Sequence, residues 1–462
     1  MEEILSRIRK IHLIGVGGTG MSGLAMLLKD KGYLVSGSDV KESFYFRKVK
    51  EAGIEVFLGH SERNLEGVEL VCYSSAIRED NIEIMTAKKR GIPLVKRGKL
   101  LGEISKDKKV IAVSGSHGKT TTSALLTHLL NFLGYQPSTF IGAQPIGYFK
   151  SSWWGKDYFV IEVDESDGTI LNYYPWIAII TNIDNEHIDF YGDRKNLDKA
   201  FREFAYRTKE LVIGWADFDP LKSILQGVNS LKYGYTKGVD LFAKEINFDG
   251  RFTSFSLTIK DKNYSKVKIP LIGEHNVLNA LAVIAFFYYL GEDMEKVFSA
   301  FLSFKGTKRR FEIKNRVEGI TFLEDYAHHP TEVKATIKSA KLLKPERLVV
   351  IFQPHRYSRL SYLYQEFAQS FSLCDVLILT DIYSAGEIKP PDFDDEILWK
   401  EIKQNFSKEC FYFPKAHLVE EVLALLKEGD LVLALGAGDI NILFNDIIEE
   451  FKRNKAKVLP SQ

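Results

Sequence analysis

Gly115-Ser116-His117-Gly118-Lys119-Thr120-Thr121-Thr122 follows directly on the apolar run 110–113. A strand that ends in Gly-x-x-Gly-Lys-Thr and passes into a helix aims backbone N–H groups, an ammonium and a hydroxyl at one point, as a nucleoside triphosphate with Mg2+ requires. The loop is a variant, because Val113 stands where a first glycine five residues before Gly118 is usual. A lysine in the first turn opposes the helix dipole unless an anion lies there, so Lys119 points to phosphate. The expectation is ATP, held by Gly115, Ser116, His117, Gly118, Lys119, Thr120 and Thr121.

Around this loop, strand-like runs alternate with helical patterns. The runs 11–16, 34–38 and 68–73 come before it, with a helical stretch at 21–31. That alternation predicts parallel, doubly wound sheets, an α/β fold. At 462 residues the chain is long enough for about three domains. The charged stretch 103–109 and the basic stretch 305–310 suggest the divisions 1–106, 107–310 and 311–462. The middle part adds strands at 158–163 and 177–182, a hairpin of 253–259 and 267–271 turning at 261–263, and an apolar helix over 276–290. Strands at 320–324, 348–352, 376–380 and 431–435 make the last part a third α/β unit.

Composition excludes several classes. Lys plus Arg (62) nearly balance Asp plus Glu (61), so no global field recruits nucleic acid or an anionic membrane. The scattered cysteines Cys72, Cys374 and Cys410 suit neither a disulfide frame nor a zinc site and are expected as core thiols in a reducing compartment. The longest apolar run, 280–290, is short of a membrane span. No secretory signal is legible at the start, so a soluble cytoplasmic protein is expected. Monomer and dimer are both open.

Other strand ends carry polar clusters. Gly15-Val16-Gly17-Gly18-Thr19-Gly20, with Asp39 ending the second strand, fits a loop that rests a diphosphate on a helix N-terminus. NAD and a UDP-sugar both meet that description. Glu162, Asp164, Glu165 and Asp167 end the strand at 158–163; Glu162 is expected to face Thr120 and hold Mg2+, while Glu165 and Asp167 cap the next turn. His187 follows 177–182 beside acids and is placed as a second metal ligand. His275 and Asn276 open the apolar helix where an adenine would lie, and Arg310 is an arginine able to reach phosphates. Asp325, Tyr326 and His328 end one late strand and Arg356, a fork for a carboxylate, follows the next.

Taken in order, these motifs resemble the Mur ligase family over nearly the whole chain, and within it the alanine-adding branch. Ser74-Ser75-Ala76-Ile77, Arg309-Arg310-Phe311-Glu312 and Phe352-Gln353-Pro354-His355-Arg356 belong to that likeness. The resemblance implies an N-terminal Rossmann-like domain for UDP, a central P-loop-type ATPase domain and a C-terminal Rossmann-like domain for the amino acid. It implies ATP-dependent amide formation between UDP-N-acetylmuramate and L-alanine through an acyl phosphate, with Mg2+ or Mn2+. By it, Gly15, Gly17, Gly18, Thr19, Gly20, Asp39, His60 and Ser74 hold the UDP-sugar. Lys119, Glu162, His187, Arg310 and His328 are catalytic; Thr120, Glu162 and His187 bind metal. His275, Asn276, Arg310 and Asp325 complete the ATP site, and Tyr326, His328 and Arg356 meet the amino acid. Glu186 and Ala327 depart from the family's more frequent Asp and Gly. Rival readings are a murein peptide ligase adding a tripeptide, an NAD-dependent oxidoreductase and a non-catalytic nucleotide-binding regulator.

Overall fold

The structure, a computed structural model, describes residues 2–166, 168–186, 188–217 and 219–458. Two compact units are present: 1–246, 255–269 and 277–305 form one, and 247–254, 270–276 and 306–462 the other.

The first unit opens with a parallel sheet of Lys10–Ile14, Leu34–Asp39, Glu55–Leu58, Leu70–Tyr73 and Leu94–Lys96. Its spatial order is third, second, first, fourth, fifth. The winding therefore reverses at the first strand, and a crevice opens at its carboxyl end. Ile11, Leu13 and Ile14 are wholly buried, as a strand covered on both faces requires. His12 is equally buried, and its partners are polar.

In the second, ten-stranded sheet Lys109–Ser114 lies between Tyr158–Glu162 and Ile177–Ile180, parallel to both. The carboxyl ends of these three strands thus lie side by side. The helix Lys119–Phe132 leaves the central one and buries Leu125, Leu126, Leu129 and Leu130. Leu211–Trp215 and Ser230–Gly234 extend one side of the sheet. The hairpin differs from expectation: after Thr253–Ile259 the chain turns at Lys260, whose φ is +51°, and the return strand is Lys262–Ile269. Its first half exposes side chains on both faces, so no alternation marks it.

The second unit holds a six-stranded sheet ordered Glu312–Val317, Ile320–Asp325, Asp430–Leu435, Arg347–Phe352, Val376–Leu379, Glu409–Tyr412. Only Glu312–Val317 runs antiparallel to its neighbour; with no strongly apolar face it left no strand signature. Alternation divides the core. Leu348, Val350 and Phe352 pack with Val333, Ile337, Leu360 and Phe367, whereas Val349 and Ile351 pack with Leu418, Val422, Ile440 and Phe444. Helices therefore cover both faces, as doubly wound sheets demand. Cys72 and Cys374 are buried, Cys410 is half-buried, and all three are free thiols.

Candidate functional site

At the crevice of the first sheet, Gly15 adopts φ +85° and its N–H donates to the Ser38 carbonyl at 2.8 Å. Gly17 N–H donates to Asp39 Oδ2 at 2.9 Å, and Ser43 Oγ donates to the Gly17 carbonyl at 2.7 Å. A Cβ at Gly17 would lie 2.9 Å from both Asp39 Oδ2 and Ser43 Oγ, so a larger residue would displace the two side chains that hold the loop. The loop ends in the helix Thr19–Lys31, whose first N–H groups lack intrahelical acceptors. Asp39 thus shapes the loop. Ser74 follows the fourth strand, with its N–H on the Ile14 carbonyl. His60 follows the third, with Nδ1 at 2.9 Å from Glu83 Oε2 and 3.0 Å from Ser38 Oγ.

In the loop after Lys109–Ser114, Gly115 and Gly118 have φ of +129° and +82°. An added Cβ would collide with Thr181 Oγ1 at the first and with Asn279 Oδ1 at the second. The loop is pinned from the next strand end. Ser116 N–H donates to the Asn182 carbonyl at 3.1 Å and His117 N–H to Asn182 Oδ1 at 2.9 Å. In return, Thr181 Oγ1 and Asn182 Nδ2 donate to the His117 carbonyl at 2.6 and 2.9 Å. The Ser116 and His117 amides, expected to face phosphate, are therefore engaged by Asn182, while the helix-opening amides from Lys119 onward point outward along the dipole. His117 Nε2 lies 2.9 Å from Asp184 Oδ2.

Thr120 Oγ1 donates to Glu162 Oε1 at 2.7 Å, as the strand alternation predicted, and Gly142 N–H donates to Glu162 Oε2 at 2.6 Å. These are hard oxygen donors, the chemistry Mg2+ prefers. Glu165 corrects the expectation of a turn cap. Its side chain, 1% exposed, meets Lys119 Nζ at 2.9 and 3.0 Å, and Asp164 does the capping by accepting from Ser166 N–H at 3.0 Å. Lys119 Nζ also donates to the Gly115 carbonyl at 2.6 Å. Burial pulls Lys119 down, but the carboxylates of Glu165 and Asp164 outweigh it and hold the ammonium charged. Burial pushes Glu165 up to about 7 against the pull of Lys119. His187 and Asp167 lie outside the described residues.

Asn279 was not anticipated. Its Oδ1 accepts from Thr122 Oγ1 at 3.2 Å and walls the loop at Gly118. The helix Glu274–Tyr289 begins with His275 exposed and Asn276 buried, the Asn276 Nδ2 donating to the Ile272 carbonyl at 2.8 Å.

In the second unit, Asp325 accepts from Phe311 N–H at 2.6 Å and Ala327 N–H at 2.7 Å, and burial, opposed by Arg310, raises it to about 6. Arg309 and Arg310 each place a guanidinium 4.9 Å from the Tyr326 ring centre. The two arginines differ in duty. Arg309 is tied to Glu324 at 2.8 Å and to the Gly436 carbonyl at 2.9 Å, which fixes the neighbouring strand ends. His328 Nδ1 lies 3.0 Å from the Tyr326 carbonyl, which only accepts, so Nδ1 carries the proton.

Arg356 adopts φ +68°, a costly conformation for a residue with a Cβ, and its N–H donates to the Tyr383 carbonyl at 2.8 Å. Its Nε is buried with no hydrogen-bond partner among the described residues. His355 stacks on Tyr383 with ring centres 5.6 Å apart and faces His328 at the same separation. Burial, followed by the charges of His328, Arg359 and Arg356, lowers His355 to about 2. Arg359 Nη1 sits 3.1 Å from His355 Nδ1, an arginine the sequence motif contained but that was not singled out. The strand ends thus assemble a cationic, aromatic-lined patch suited to a small carboxylate.

Three family models match in order: "Mur ligase family, catalytic domain" over 10–109, "Mur ligase middle domain" over 113–287 and "Mur ligase, glutamate ligase domain" over 309–438. The chain is 40% identical over 440 residues to the UDP-N-acetylmuramate–L-alanine ligase of Anaeromyxobacter sp. strain Fw109-5, covering 94% of this chain and 96% of that one. The crystal structure of UDP-N-acetylmuramate-alanine ligase from Thermotoga maritima superposes with a TM-score of 0.84 at 30% identity, covering 97% of this chain and all of that one. A murein peptide ligase from Psychrobacter arcticus shares the fold, with a TM-score of 0.72 at 24% identity over 96% of this chain and 99% of that one. With three α/β domains matched in sequence and in architecture, the chain belongs to the Mur ligase family.

Proposed function

We propose that the chain is an ATP-dependent ligase that joins L-alanine to the lactyl carboxylate of UDP-N-acetylmuramate in peptidoglycan precursor synthesis. The observation that carries this reading is the clustering of Lys119, Thr120 and Glu162 at adjoining strand ends, in the unit that also holds the Gly15 diphosphate loop. Likeness to alanine ligases over nearly the full chain supports the choice of substrates. The same likeness does not favour the tripeptide-adding and NAD-dependent readings. Domains at 1–106, 107–310 and 311–462 are part of the proposal, as is a cytoplasmic location; no helix among the described residues is long and apolar enough to cross a membrane.

A carboxylate does not accept an amine unaided, because oxide is a poor leaving group. In the proposed reaction a lactyl oxygen attacks the γ-phosphorus and ADP leaves, giving an acyl phosphate. The alanine amine then attacks the acyl carbon, phosphate departs and the amine loses a proton. Lys119 and Arg310 neutralise charge on the transferring phosphoryl group. Thr120 Oγ1 and Glu162 would hold Mg2+, with Mn2+ as an alternative and His187 assigned to a second ion; the metal supplies charge neutralisation at the phosphates. Gly17, Gly18 and Thr19 would seat the diphosphate, His275 and Asn276 the adenine, and Asp325 the ribose. Arg356 and Tyr326 would orient the alanine carboxylate. His328, beside Tyr326, would receive the proton of the amine.

Phosphate release from ATP, measured with UDP-N-acetylmuramate against single amino acids and a tripeptide, tests this. Release with L-alanine supports the proposal. Release only with the tripeptide, or nicotinamide reduction without ATP turnover, refutes it.

A further inference from the structure

The turn after Lys109–Ser114 is templated by the end of a neighbouring strand. Ile177–Ile180 pairs in parallel with 111–114, and the Thr181 N–H continues the ladder to the Ser114 carbonyl at 3.0 Å. Side chains then take over. The Asp184 N–H donates to Ser116 Oγ at 2.8 Å, and Ile183, wholly buried, anchors the segment. A Cβ on Gly115 would lie 2.7 Å from the Asn182 carbonyl, so turn and strand end meet backbone to backbone.

Asn182 makes the contact that bears on chemistry. Its Oδ1 accepts from the His117 N–H and its Nδ2 donates to the His117 carbonyl, both at 2.9 Å. Thr181 Oγ1 adds a further bond to that carbonyl at 2.6 Å. One side chain thus engages both main-chain groups of one residue, which takes an acceptor and a donor side by side. A primary carboxamide offers that pair; an ionised carboxylate only accepts. Two residues on stands Lys119, whose Nζ turns back to the Gly115 carbonyl at 2.6 Å. The residue between is Gly118, at φ +82°, and a glycine there has a wide choice of backbone angles. The direction in which the chain enters Lys119–Phe132 therefore depends on His117 being held.

We propose that Asn182 is a positioning residue for phosphoryl transfer: its carboxamide fixes the peptide groups of His117 and thereby the point from which Lys119 reaches the γ-phosphate. The inference rests on the ATP reading above. The ammonium neutralises charge that grows on the transferring group, and a donor displaced by about 1 Å loses roughly 100-fold in rate. Ground-state binding of a nucleotide also draws on the amides of the helix turn, so it responds less.

The test separates rate from binding. Asn182→Asp has the same size, keeps an acceptor for the His117 N–H and sets a carboxylate oxygen against the His117 carbonyl. Its kcat is expected to fall about 100-fold, with KM for L-alanine within about 2-fold and the calorimetric dissociation constant for ADP within about 5-fold of the natural values. Asn182→Ala, which adds no charge near the phosphates, should show the same split. Thr181→Val leaves the carboxamide in place and should cost at most about 10-fold in kcat. Calorimetry with UDP, read on the other glycine loop, should be unchanged in all three. Natural kcat in either Asn182 variant overturns the inference, and so does a loss confined to ADP affinity, which would make Asn182 a ground-state contact. UDP binding weakened in step with kcat overturns it too, as a general structural defect. A natural protein that binds neither ADP nor ATP would sink the function proposal and this inference with it, a result read without any variant.

Discussion

Lys119 Nζ lies 2.9 and 3.0 Å from the two oxygens of Glu165, a carboxylate 1% exposed. A buried pair of this kind contributes little net stability while intact, yet removing one partner strands the other. Glu165→Ala is therefore expected to lower stability by on the order of 3 kcal/mol in denaturant unfolding. Lys119→Met combined with Glu165→Leu should recover most of that loss without recovering activity. Lys119→Ala alone should reduce phosphate release by about 100-fold or more, since it deletes transition-state charge stabilisation. Full activity in that variant would refute the role given to Lys119.

Thr120 and Glu162 share a 2.7 Å hydrogen bond that a divalent ion would replace with two ligand bonds. Glu162→Gln keeps the shape and loses the charge. Titration of activity against Mg2+ should show the half-saturating concentration raised by at least about 10-fold. An unchanged Mg2+ dependence would remove Glu162 from the metal site.

Arg356 is held by its left-handed backbone and by Tyr383, with a buried Nε that no described residue satisfies. Lysine cannot reproduce the fork. Arg356→Lys is expected to raise KM for L-alanine by about 10-fold or more with KM for ATP unchanged. Parallel rises in both constants would point to a general structural defect.

Glu83 titrates near 2 in the folded chain against 4.5 ordinarily. For an acid whose folded pKa is depressed, the stabilisation is fully present above pH 4.5 and is lost as pH falls from there towards 2. Its size is on the order of 3 kcal/mol. Unfolding followed from pH 6 to pH 3 should show a loss in the natural protein that is smaller in Glu83→Gln.

The parts of this molecule legible in the sequence are those written in local chemistry. Glycines before a helix, a lysine in its first turn and apolar runs of strand length carry their meaning within ten residues, so both glycine loops and most parallel strands were readable. Glu162 was readable as well, because alternation fixes its direction. Glu165 was not, since after Glu162 the chain leaves the strand and its side chain is aimed by Lys119, 46 residues away. Glu312–Val317 and the first half of Lys262–Ile269 were missed because neither buries one face. Asn279 escaped because its task is to wall a glycine brought close only by folding. Glu83 was not singled out, because its burial among His12, Ser38, His60 and Asn64 depends on three other segments brought together only by folding.

Ser38 serves two masters: its carbonyl anchors the glycine loop and its hydroxyl feeds Glu83. The carbonyl is main chain and survives any substitution at position 38, so a change there withdraws a donor from the buried acid while the glycine loop keeps its anchor. Positions 38, 60 and 83 share one set of hydrogen bonds, so a lone substitution at any of them leaves the other two short of a partner.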